Sequence, residues 1–420
     1  MTKSVLIIDG DGHYVEDVAA WGRHVPASMG DTRPKLAVES DGVERFTIGD
    51  LWALPTRNAN RNQMGGMTAG DGLTPRTRGS TVPHIQKRKF MEGHPGGIHP
   101  RERLKLMDHE DIAISVLYPT LALASIPGIH EPKVACALAT ALNDWVVQDF
   151  CSVAPKRLVP VATLALHDPA SAVAELKRCV TQLGMRAAFV APSTTMGRTI
   201  DDPANDIVWK TAADLGIPMT THHGSGGGGL NALGRDRNKT WLGAHAMGHA
   251  FEAMAAIVGL YTSGVFQRYP TLEWGFMEAG TGWLPFWLHQ IHEHAERMGE
   301  LVPGLAQSED IRDVFRDRCI VTAEADDLFI NQAFDAAGDE CVVWASDFPH
   351  FDCSLPGLVD EALARSDLSP VRMQHLMARN AIEFFKLQDL VAKVGRNASP
   401  RVAGLTGVPT NGFDMTKGNP

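Results

Sequence analysis

The sequence predicts an α/β chain folded as a (β/α)8 TIM barrel, with a long insertion after the first strand and a C-terminal tail. Three observations carry this. Eight short β-like runs recur along the chain, they are largely apolar rather than alternating, and amphipathic stretches separate most of them. Strands buried on both faces of a parallel sheet read in this way. Eight β-then-α units close most simply into a barrel. A doubly wound sheet is the structural alternative, and the absence of GxGxxG after the first run lowers it.

The runs are "VLIID" at 5–9, "IAISVLYP" at 112–119, "RLVPVATLAL" at 157–166 and "MRAAFVAP" at 185–192, then "IPMTTHH" at 217–223, "LEWGFMEAG" at 272–280, "CIVTAEAD" at 319–326 and "CVVWASDFPH" at 341–350. The stretches "PASAVAELKRCVTQLG" and "ANDIVWKTAADLG" have helical spacing and stop at Gly just before the next run, a common C-terminal signal. Residues 40–100 break the rhythm, being rich in Gly, Asn, Pro and Arg. They read as an excursion without regular elements, of the kind that covers a barrel mouth. We assign 1–386, excursion included, to one barrel domain and 387–420 to an extended tail suited to packing on a neighbouring subunit.

Bulk properties narrow the function. The chain has 420 residues, 44% hydrophobic and 21% charged, with net charge −10 and pI near 5.9. An acidic balance argues against a nucleic-acid binder. No apolar stretch reaches the roughly 18 residues of a membrane span. The N-terminus lacks a signal-peptide cleavage pattern, so a cytoplasmic protein is expected. Six cysteines without CxxC spacing read as reduced, mostly buried thiols.

In a barrel the chemistry sits at the C-terminal strand ends. There this chain collects Asp9, Asp11 and His13 with Glu16 beyond, then His222 and His223, Glu278, Glu324 and Asp326, and Asp347 with His350. Buried carboxylates without partners are costly. A divalent cation is the simplest common partner, and imidazole with carboxylate suits zinc, manganese or iron. The alternative for Asp9 is to steady the Gly-Asp-Gly turn; for Glu278 it is a salt bridge, for instance to Arg103. His245 and His249, in "HAMGH", share one helical face at i, i+4 without forming HExxH, and they could also be an ordinary helix surface.

The motifs "IDGDGH", "THHG", "YPTLEWGFMEAGTGWLP" and "ASDFPH", with "HPGGIHPRERLKLMDHEDIAISVLYPT", resemble the amidohydrolase superfamily from about Val5 to about Phe385. The likeness is to its family 2 branch, which holds metal-dependent decarboxylases and related hydrolases. The family commonly has His-x-His after strand one; here Asp11 takes the first position and His13 keeps the second. The resemblance implies His222 as the strand-five ligand, with His223 as the fallback, and Asp347 as the strand-eight aspartate. Glu278 replaces a strand-six histidine and becomes a fifth or bridging ligand. A carboxylated lysine is excluded, since no lysine ends strand four; a bridge would come from Glu278, Glu16 or a hydroxide. Asp347, Glu278 and His249 are the catalytic candidates. The carboxylate-rich set favours one or two ions of iron or manganese, with zinc possible.

Across 57–89 seven cations (Arg57, Arg61, Arg76, Arg78, Lys87, Arg88, Lys89) face one acid, Asp71, a net +6. Such a segment is either a solvated loop or an anion clamp. Arg88, Arg103 and His223 are accordingly the substrate-binding candidates. The expected partner is a small anionic substrate, a coenzyme A thioester included, and the branch implies a homodimer. The first functional reading is a hydrolase that cleaves an amide, ester or thioester with metal-activated water, Asp347 taking the proton. The alternative is a non-oxidative decarboxylase. A barrel that binds a ligand without turnover is the third.

Overall fold

A computed structural model of the chain describes residues 6–40, 42, 44–54, 76–77, 93–224, 233, 238, 241–302, 305 and 309–394. The eight runs become eight parallel strands: β1 Ile7–His13, β2 Ile112–Tyr118, β3 in two pieces, Leu158–Pro160 and Ala162–Thr163, and β4 Ala188–Val190. β5 Met219–His222, β6 Trp274–Met277, β7 Cys319–Ala323 and β8 Val342–Trp344 follow. Each pairs with the next in chain order. The ring closes where Asp347 N donates to Asp11 O at 3.0 Å and His13 N donates to Phe348 O at 2.8 Å.

Every residue of β1 and β2 is buried, and strand alternation divides them between two cores. Ile8, Ile114, Val116, Phe189, Ile320 and Val343 form the inner cluster. Ile7, Ile112, Leu117, Val321 and Val342 join the cluster that packs the helices outside. The two Gly stops hold, with Gly184 at φ +70° and Gly216 at φ +63°.

The insertion and the tail differ from the sequence reading. Residues 34–54 form an antiparallel three-stranded sheet of Pro34–Val38, Glu44–Ile48 and Trp52–Leu54. It docks through Phe46, which stacks on Trp21 with ring centroids 6.0 Å apart. Strands of three to five residues are too short to give a readable period. Residues 388–394, assigned to an extended tail, form the helix Gln388–Val394. Its Leu390 and Val391 are buried with the inner cluster, and each such burial stabilises by about 1.5–3 kcal/mol.

Gly12 shows how tightly the lower site is built. A Cβ there would lie 2.4 Å from Asp9 Oδ2, and 2.7 Å from both Arg103 Nη2 and Ser115 Oγ. Gly12→Ala is expected to cost about 1–3 kcal/mol by overpacking. A lower denaturation midpoint at unchanged m-value would register it.

Candidate metal centre

β1 delivers Asp11 and His13 to the barrel mouth, β5 delivers His222, and the turns after β6 and β8 deliver Glu278 and Asp347. Both of these carboxylates sit at φ +48°, in the left-handed region that costs a non-glycine residue energy and clusters at functional sites. His13 Nδ1 donates to Pro119 O at 2.9 Å, and His222 Nδ1 donates to His223 O at 3.0 Å. Carbonyl oxygens only accept, so both Nδ1 atoms carry protons. When the rings are neutral, both Nε2 atoms then present lone pairs, and these face each other at 3.3 Å. Burial, then His350 and His222, holds His13 well below the usual imidazole pKa and hence neutral.

The carboxylates complete the set. Asp11 Oδ1 lies 3.6 Å from His13 Nε2 and 3.5 Å from His222 Nε2, and Asp347 Oδ1 lies 3.2 Å from His13 Nε2. Asp11 Oδ1 and Asp347 Oδ2 are buried without a hydrogen-bond partner among the described residues, an arrangement that costs about 1–3 kcal/mol per group. Asp11, His13 and His222 offer ligand atoms within 4.8 Å of one another. Facing lone pairs beside unpartnered carboxylate oxygens are what a divalent cation would satisfy, so the residues present fit the metal that the fold implies. Thr322 aims Asp11: its Oγ accepts Glu278 N–H at 2.7 Å and donates to Asp11 Oδ2 at 3.2 Å.

The electrostatics agree. Burial, then Asp352 and Asp11, pushes Glu278 well above the usual carboxylate pKa. Burial, then Glu278 and Asp352, does the same to Asp347, and burial raises Glu324 to about 8. Burial, then His223 and His245, depresses His249. A cation reverses these penalties on the ionised acids. At 100 times Kd, Mn2+ should add ~2.7 kcal/mol, which for a chain of this length is roughly 3 °C in Tm. The check is differential scanning calorimetry before and after chelation, with the Tm falling on removal of the ion.

The other candidates divide. His249 joins the site, its Nε2 3.6 Å from Glu278 Oε1, while Glu278 Oε2 lies 3.4 Å from His222 Nε2. His223 turns away; its Nδ1 is 3.5 Å from Ser193 Oγ and its ring lies under Gly248. Arg103 is corrected from substrate binding to support. It is 2% exposed, donates to His13 O at 2.9 Å, and covers the Phe348 ring at 4.7 Å. Glu16 is corrected from a bridging candidate to a helix cap, accepting Leu121 N and Ala122 N at 2.9 Å each. Asp9 steadies its turn, accepting from Ser115 Oγ at 2.7 Å and from Ser346 N at 3.0 Å. Arg88 and the other cations of 57–89 except Arg76 lie outside the described residues, so the anion clamp and the coenzyme A thioester gain no structural argument.

Sequence reasoning missed Thr322 and Asp352. Thr322 could have been found, since it stands two residues before Glu324 on the same side of an extended strand. Asp352 sits in the loop after β8, where no period marks it.

The family model described as Amidohydrolase matches residues 8–387. The chain belongs to the amidohydrolase family. It is 26% identical over 296 residues to 2-amino-3-carboxymuconate-6-semialdehyde decarboxylase of Dictyostelium discoideum, covering 69% of this chain and 77% of the relative. It is 29% identical over 266 residues to gamma-resorcylate decarboxylase of Rhodococcus jostii (strain RHA1), covering 59% and 76%. Among solved structures, an amidohydrolase from Mycobacterium avium subsp. paratuberculosis K-10 superposes with TM-score 0.73 at 19% identity, over 91% of this chain and 99% of that one. The 5-carboxyvanillate decarboxylase of Novosphingobium aromaticivorans, solved with manganese and a nitrobenzoic acid, gives TM-score 0.62 at 19% identity, over 91% and 97%.

These relatives overturn hydrolysis as the first reading, because those at 26% and 29% identity are decarboxylases. The missing strand-six histidine, replaced by Glu278, weighs only mildly against decarboxylation, and the basic excursion fits a carboxylate as well as a thioester. In this chain an imidazole lies beside Glu278 all the same, His249 Nε2 standing 3.6 Å from Glu278 Oε1. No helix among the described residues is long and apolar enough to cross a membrane.

Proposed function

We propose that this amidohydrolase is a divalent-metal-dependent, non-oxidative decarboxylase of a small aromatic or similarly unsaturated carboxylic acid. One observation carries the reading: the Asp11, His13, His222 and Asp347 donors converge in a chain whose relatives remove CO2 from such acids. Manganese is the ion we favour, in line with the solved decarboxylase and with a mixed imidazole and carboxylate set.

Asp11, His13 and His222 would hold the cation, with Asp347 beside it. The bound ion supplies positive charge for a substrate carboxylate and a neighbouring oxygen. The cleft beside it is lined by Asp11, Glu278, Glu324, Asp326, Asp327 and Asp347. Among the described residues that line it there is no cationic side chain, so the substrate's charge has to be met by the ion. Loss of CO2 breaks the bond to the carboxyl carbon and leaves its electron pair on the ring carbon, which takes up a proton. Asp347 is suited to deliver it from Oδ2, while Oδ1 accepts from His350 Nδ1 at 2.7 Å. His350 Nε2, 3.2 Å from Thr120 Oγ, gives a route for reprotonation. Thr322 keeps Asp11 in its ligating pose.

The test is CO2 evolution from a panel of carboxylated phenols, 2,6-dihydroxybenzoate and 5-carboxyvanillate included. CO2 should appear with Mn2+-loaded protein, vanish on chelation and return with Mn2+. Silence across the panel, or turnover of esters or amides instead, would overturn the reading.

A further inference from the structure

We propose that His245, His249 and Glu278 form a second divalent-cation site, joined to the first through the Glu278 carboxylate. The bridging role rests on the reading of the first centre as metal-bound; the two imidazoles stand independently of it.

The helix Trp241–Thr262 carries His245 and His249 one turn apart, and side chains at i and i+4 lie over one another. Their rings are 4.9 Å apart. Both ring nitrogens of His249 are buried, and among the described residues neither has a hydrogen-bond partner. A neutral imidazole has one N–H and one lone pair to satisfy, so an ordinary core histidine would not leave both unspent. Its Nε2 instead faces Glu278 Oε1 at 3.6 Å, beyond hydrogen-bond distance. His245, His249 and Glu278 each present a ligand atom within 4.8 Å of the others. The second Glu278 oxygen lies 3.4 Å from His222 Nε2, so one carboxylate addresses both groups. Asp352 Oδ2 lies 3.6 Å from His245 Nε2. A carboxylate there can orient a ligating imidazole.

Two imidazoles and one carboxylate suit manganese, iron, cobalt or zinc rather than calcium or magnesium. The site differs from one built on strand ends alone, since two of its ligands come from the helix between β5 and β6. Occupied, it would hold Glu278 ionised between two cations and set a second positive centre beside the acid-lined cleft.

The experiment is metal counting on full-length protein, stripped with chelator and dialysed to saturation against Mn2+. We expect two Mn2+ per chain, and one per chain in His249→Ala and in His245→Ala. We also expect an exchange-coupled electron paramagnetic resonance signal in the parent that both variants lose. His245 is the more exposed of the two, so His245→Ala gives the count if His249→Ala fails to fold, as judged by circular dichroism. One Mn2+ per parent chain at saturation, or two retained in the variants, overturns the second site. CO2 release with a single ion bound would remove this site and leave the decarboxylase standing. Two ions bound without CO2 release from the panel would do the reverse.

Discussion

Replacing Asp347 by Asn is expected to lower kcat for CO2 release by roughly 10²–10⁴-fold, the range for a lost acid–base group, without unfolding the protein. Asn keeps the volume and can still accept from His350, but it neither ionises nor transfers a proton. The backbone role survives as well, because Asp347 N–H and not its side chain donates to Asp11 O. The carboxylate is buried, set at φ +48°, and crowded by Glu278, which with burial pushes its pKa up. Such an environment stabilises the fold poorly and makes sense as chemistry. Steady-state kinetics with metal content measured on the same sample will separate loss of proton transfer from loss of the ion. A kcat within threefold of the parent at full occupancy would remove Asp347 from the proton path.

Asp9→Ala is expected to destabilise the chain by about 3–5 kcal/mol, the scale for breaking a buried charged network. Asp9 is 1% exposed. It accepts from Ser115 Oγ on β2 and from both Ser346 N and Ser346 Oγ just after β8. It therefore ties the strands on either side of β1. Arg103 supports the same network from behind, donating to Ser115 Oγ at 3.4 Å, and its charge lowers the pKa that burial raises in Asp9. The alanine leaves two serine hydroxyl donors and the backbone N–H groups of Asp11 and Ser346 without this acceptor beside a buried guanidinium. Chemical denaturation with circular dichroism measures the loss. A change under 1 kcal/mol would mean that the turn holds without Asp9.

The barrel and the core of its site were legible because both follow from local rules. Short apolar, β-branched runs such as "IAISVLYP" read as strands buried on both faces, and parallel closure then brings Asp11, His13, His222 and Asp347 to one mouth. Residues whose roles depend on distant partners were not legible. Arg103 reads as a substrate-binding cation or a partner for Glu278, and only the fold sets it against the His13 carbonyl, 90 positions away. Glu16 looks like one more acid near the site until the helix Leu121–Ser125 offers it two N–H groups. The sheet at 34–54 escaped because its strands run only three to five residues and the burial along Pro34–Val38 and Glu44–Ile48 does not alternate. Hydrolysis and decarboxylation could not be separated from ligand types, since the same imidazoles and carboxylates serve either; what weighs against hydrolysis is that the relatives at 26% and 29% identity are decarboxylases.

The central claim is that an ion held by Asp11, His13 and His222 enables loss of CO2 with proton return to carbon. It is tested most directly in D2O, with carboxyl-¹³C-labelled acid, using whichever member of the panel turns over fastest. The account predicts one ¹³CO2 released per deuterium gained at the vacated carbon, with Mn2+-loaded protein alone, and none after chelation or in His13→Ala. Equal turnover without metal, or product formed with no ¹³CO2, would contradict it.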